Sequence, residues 1–134
     1  MKVLLDTHVL IWFFEDDGKL SLEARNMITD VGNEVYFSSL SIFEVVLKNL
    51  NRPDLMPYTG EEIFVYGLQS GFKPLPLEIK HTLAVKNLTR KENSPQHRAP
   101  FDRLMLSQAI VEGMIFITHD ERIAEYVTDS VYKI

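Results

Sequence analysis

The sequence predicts an α/β fold, a three-layer α/β/α arrangement around a short parallel sheet of about five strands. Two observations lead there. Short strand-like runs alternate with longer segments of helical character, and such alternation supplies the crossover connections that parallel strands require. The chain has 134 residues, 46% of them hydrophobic and 25% charged, which is enough to bury a core within one domain spanning residues 1–134.

The elements follow in order. The apolar run 3–5 is cut short by Asp6 and makes residues 2–5 the first strand, with a helix over 7–14 after it. Residues 21–31 read as a second helix and 34–38 as the second strand. A third helix is expected over 41–50, where Phe43, Val46, Leu47 and Leu50 stand at the i, i+3, i+4, i+7 spacing of one buried face. Residues 60–70 form the next helical candidate. The third strand, 72–75, is weakened by Pro74 and Pro76 and should be short or partly irregular. A helix over 77–88 leads to residues 93–100, whose two prolines mark a surface loop. Pro100 then opens a helix over 101–112, and residues 114–118 and 131–134 complete the sheet.

Composition removes several chemistries. There is no cysteine, so disulfides, zinc–thiolate sites and thiol nucleophiles are excluded, and a reducing, cytoplasmic setting is expected. No secretory signal is read at the start, and the longest unbroken apolar run, 9–14, is too short to cross a bilayer. The net charge of −5 argues against tight non-specific binding of nucleic acid. Yet Lys86, Arg90, Lys91, His97, Arg98 and Arg103 form a basic stretch opposed only by Glu92 and Asp102. It reads either as a solvated loop or as a phosphate-contacting flank.

In open parallel sheets, sites lie beyond the carboxyl ends of the strands. Asp6-Thr7-His8 follows the first strand and Thr118-His119-Asp120 closes the fourth, so each sends a carboxylate to the same edge. Every such acid has a local explanation as well. Asp6 can cap the first helix, Ser41 to Glu44 and Thr118 to Glu121 match capping boxes, Glu44 can pair with Lys48, and Asp102 suits the dipole of a helix start. Together, however, carboxylates gathered at one sheet edge repel unless a cation lies between them, and an all-oxygen set suits Mg²⁺ or Mn²⁺. His8, His81, His97 and His119 show no ligand spacing and read as surface or core residues.

The chain resembles the PIN-domain ribonucleases, specifically the VapC-type toxins of bacterial and archaeal toxin–antitoxin pairs. The resemblance rests on Leu4-Leu5-Asp6-Thr7-His8, on Ser38 to Glu44 with Lys48, on Pro100-Phe101-Asp102-Arg103-Leu104 followed by Gln108-Ala109, and on Ile117 to Glu121. It runs along nearly the whole chain, and the order and spacing of these motifs carry it. It implies a Mg²⁺-dependent (or Mn²⁺-dependent) endoribonuclease with Asp6, Glu44, Asp102 and Asp120 as catalytic, metal-holding acids. It also implies a cognate antitoxin protein and a homodimer. Thr7 and Thr118 would hydrogen-bond the acids, and Arg90, Lys91, Arg98 and Arg103 would meet RNA phosphates. The ion would lower the pKa of a water and offset charge on the phosphorus. Two departures stand out. Ala99 precedes Pro100 where such chains often carry Asp, forgoing a cap worth about 1 kcal/mol. His119 stands where a basic residue is common. Two alternatives remain open: a non-catalytic Mg²⁺-binding α/β signalling or interaction module, and an aspartyl-nucleophile phosphatase. The second lacks the closely following aspartate that would serve as its acid.

Overall fold

The computed structural model describes residues 1–16 and 18–134. Five parallel strands form one sheet: β1 (Lys2–Leu5), β2 (Glu34–Ser38), β3 (Lys73–Leu75), β4 (Ile115–Thr118) and β5 (Val131–Lys133), in the order β3-β2-β1-β4-β5. Six α-helices accompany them among the described residues: α1 (Thr7–Glu15), α2 (Leu22–Thr29), α3 (Ser39–Asn51), α4 (Gly60–Gln69), α5 (Ile79–Ala84) and α6 (Pro100–Glu112). The expected parallel α/β architecture is therefore present.

Alternation along the strands divides the core in two. Val3 and Leu5 of β1, Val35 and Phe37 of β2 and Ile117 of β4 face α1, α2 and α4. Leu4 and Phe116 point the other way, onto Met105, Leu106 and Ala109 of α6. On the first face α4 approaches the sheet at Gly67, where an added Cβ would lie 2.6 Å from the Phe37 ring. β3 holds Pro74 at the sheet edge, where a missing N–H costs no ladder bond, and it is only three residues long.

Two expectations are corrected. The third helix begins at Ser39, capped by the Ser38 hydroxyl on the Leu40 amide, so Ser41 lies inside it and caps nothing. Its inward residues are Leu40, Ser41 and Val45. Phe43 and Leu50, assigned to the buried face, are 49% and 73% exposed. The helix expected over 77–88 is broken: α5 ends at Ala84 and a tighter turn, Val85–Asn87, follows.

Because Leu5 is in register with Ile117, and Leu5 with Phe37, the residues that follow these strands emerge level with one another. That edge gathers Asp6, the start of α3 and the segment from Thr118.

Candidate active site

Asp6 leaves β1 with its amide bonded to the Ile117 carbonyl at 3.0 Å, which fixes it beside β4. Its carboxylate accepts the Thr7 amide at 2.7 Å and the Thr118 hydroxyl at 2.6 Å. The side chain is buried, and desolvation pushes its pKa up from 3.8 to about 7. The Thr118 and Thr7 hydrogen bonds oppose that rise, while the nearby Asp102 and Glu44 charges add to it.

Glu44 projects from α3. Its Oε1 lies 3.0 Å from the Thr7 hydroxyl, itself 2.9 Å from Ser41 Oγ, and its Oε2 accepts Lys48 Nζ at 2.9 Å. The i,i+4 ion pair foreseen for it is present; the capping box is not. Asp102 stands in the first turn of α6, which opens on Pro100 with Ala99 making no side-chain cap. Burial raises its pKa, and the charge of Asp120 raises it further.

Asp120 follows β4 in a turn rather than a helix. Its amide is held by Thr118 Oγ1 at 3.0 Å, so the second capping box is absent too. Burial pushes its pKa up, but hydrogen bonds from the Arg122 side chain and amide outweigh that and hold the carboxyl below its usual value. The pairing is two-pronged, Nε to Oδ1 at 3.2 Å and Nη2 to Oδ2 at 2.9 Å.

All four acids line one open cleft of about 560 Å³. Trp12 forms part of its wall, with His8 stacked on one side at 5.9 Å between ring centroids and His119 edge-on at 5.1 Å. Arg122 lines the cleft as well; sequence reasoning missed it, although its i+2 offset from Asp120 on a turn was a usable signal.

The basic residues of the sequence reading lie elsewhere. Arg90 bonds the carbonyls of Pro95 and Arg122 and stacks its guanidinium 4.6 Å from the Tyr126 ring centroid, which ties the 90s loop down. Lys91 and Arg98 are exposed, Arg98 bonding Gln96, and Arg103 is half-buried on α6. Among the described residues the cleft wall includes none of the four.

The histidines divide. His81 is buried with its nitrogens engaged by the Glu78 amide and Glu112. His97 is buried too, its Nδ1 2.8 Å from the Tyr126 hydroxyl, but its Nε2 makes no hydrogen bond and lies 3.5 Å from Asp102 Oδ2. His97, Asp102 and Asp120 each place one potential ligand atom within 4.8 Å of the others. Four carboxylates lining one cleft, with an unpartnered ring nitrogen beside two of them, fit a divalent cation.

The family model for the PIN domain matches residues 3–128. The fold is similar to the solved structure described as VapBC2 from Rickettsia felis bound to a DNA fragment from their promoter. The TM-score is 0.72 and the identity 15%, over 99% of this chain and 98% of that one. A search of curated protein sequences finds no match.

Proposed function

The chain belongs to the PIN-domain family, whose members are generally nucleases, and from that premise we propose that it is a metal-dependent endoribonuclease, the VapC-type toxin of a toxin–antitoxin pair. The observation that carries the proposal is the single acidic cleft shared by Asp6, Glu44, Asp102 and Asp120. Residues 1–134 would act as one catalytic domain.

In this reading Asp6, Glu44, Asp102 and Asp120 hold Mg²⁺ or Mn²⁺. The ion supplies positive charge to the phosphodiester and acidifies a water when bound. The chain's own groups do the rest. Thr118 and the Thr7 amide fix both Asp6 oxygens, so the carboxylate cannot rotate away from the cleft. Thr7 and Lys48 do the same for Glu44, leaving it placed to orient an attacking water. Arg122 can exchange one prong of its Asp120 pair for a phosphate oxygen. Trp12, His8 and His119 line the cleft together and would give a nucleobase aromatic surface to pack against.

The resemblance to a VapBC complex supports a cognate antitoxin as partner, with a homodimer and a cytoplasmic setting as the arrangement expected of such toxins. No helix among the described residues is long and apolar enough to cross a membrane.

The test is RNA hydrolysis by purified protein with Mg²⁺ or Mn²⁺, with chelator, and with Asp102→Asn, the new RNA ends being sequenced. Internal cuts that need metal and vanish in the variant are expected. Cleavage that survives chelation, or that the variant retains, would remove the proposal.

A further inference from the structure

We propose that His97 is a nitrogen ligand of the cation site. Its Nε2, together with Asp102 and Asp120, would form a mixed nitrogen–oxygen subsite that favours a first-row transition ion such as Mn²⁺ over Mg²⁺. The inference rests on the metal-dependent reading above and adds a donor that the four acids do not include.

Three observations carry it. First, the His97 side chain is almost fully buried, at 2% exposure, yet its Nε2 has no hydrogen-bond partner. A buried polar atom left unsatisfied costs about 1–3 kcal/mol, so a partner is expected there. Second, that atom points into the acidic cluster. It lies 3.5 Å from Asp102 Oδ2, and the candidate donor atoms of His97, Asp102 and Asp120 all fall within 4.8 Å of one another. Donors 2.0–2.3 Å from one ion are separated by no more than roughly this span. Third, the opposite ring nitrogen is already engaged. Nδ1 lies 2.8 Å from the hydroxyl of Tyr126, a side chain only 4% exposed with the Arg90 guanidinium against its ring. If Nδ1 carries the proton and donates to Tyr126, Nε2 keeps its lone pair for the ion. Ligating histidines are commonly held through the other nitrogen in this way.

Selectivity follows from the donor chemistry. Mg²⁺ takes oxygen ligands and keeps its waters, whereas imidazole nitrogen suits transition ions. The competing role for His97 is a charged partner of Asp102, and it predicts the opposite sign. Removing a cation from beside a carboxylate strengthens binding of every divalent ion, while removing a ligand weakens binding, most for the ion that values nitrogen.

The experiment titrates full-length protein with Mn²⁺ and follows free Mn²⁺ by electron paramagnetic resonance, with Mg²⁺ as competitor. Electron spin-echo modulation then reports nitrogen bound to the ion. For His97→Ala the expected result is a loss of Mn²⁺ affinity on the order of 10-fold or more, a smaller loss for Mg²⁺, and disappearance of the nitrogen modulation. Tyr126→Phe should keep the modulation and lose less affinity, which retains a readout if the alanine variant does not fold. Nitrogen modulation that persists in His97→Ala, affinities that rise for both ions, or a wild-type Mn²⁺ signal without nitrogen would overturn the proposal. Those outcomes leave the metal-dependent nuclease reading standing. A wild type that binds neither ion would bring down both.

Discussion

At the scale of single residues, Asp6 is the most exposed to test. Its buried carboxyl titrates near 7 instead of 3.8 because desolvation outweighs the Thr118 and Thr7 hydrogen bonds. The folded state therefore holds the proton more tightly than the unfolded chain. The resulting stability is complete below pH 3.8 and is lost as pH rises through about 7, a difference on the order of 4 kcal/mol at most. Metal-free protein should show a melting temperature that falls across this window, and Asp6→Asn should flatten the profile. Identical profiles in thermal melts would mean that the group is not so perturbed. In RNA cleavage assays Asp6→Asn and Asp102→Asn should each lose more than about 100-fold activity while circular dichroism stays native. Glu44→Gln should be severe and Asp120→Asn partial, because Asp120 already shares its charge with Arg122.

Individual elements show what the sequence could and could not disclose. The strands were legible because apolar runs beside Asp6 and Thr118 leave little choice of period, and Pro74 and Pro76 rightly marked β3 as short; its place at the sheet edge came only with the structure. The face of α3 was not. Apolar residues occur almost all around it, so Phe43, Val46, Leu47 and Leu50 fit the helical period while Leu40 and Val45 make the inward contacts. Asp6 and Asp120 were read from strand ends, Glu44 and Asp102 from helix starts and the family motifs around them. His97 was not, since its neighbours Asp102, Asp120 and Tyr126 come from three separate segments and a lone histidine in a proline-flanked loop carries no spacing signal. Two helix substitutions probe packing against propensity. Gly67→Ala in α4 gains up to about 1 kcal/mol of helix propensity but drives a Cβ into the buried Phe37 ring, which costs about 1–3 kcal/mol. Net destabilisation is expected in chemical denaturation, and a more stable variant would show that the ring yields freely. Ala99→Ser should supply α6 with the cap it lacks and raise stability by about 1 kcal/mol; an unchanged midpoint would mean that the 99 side chain cannot reach the amides.

For the molecule as a whole, the proposed cation site would couple stability to ions. Mg²⁺ or Mn²⁺ binding the folded state alone should raise the melting temperature by an amount that grows with concentration, at fixed ionic strength. Asp6→Asn should begin at equal or higher stability without metal and gain much less from it; matching gains in the two proteins would make Asp6 a cap and nothing more. The Thr118 hydroxyl that steadies Asp6 has a further consequence, in time rather than space. The two residues stand 112 positions apart, and β1 receives its second neighbour only when β4 arrives. A ribosome making this chain would release β1, β2 and most helices well before residues 115–120 existed to finish the cleft. Until then Asp6 has neither its threonine nor Asp120 across the cleft, and under the proposed activity the emerging polypeptide would be inert. A protein that attacks RNA would thus spare the very message and ribosome producing it until its synthesis was nearly done.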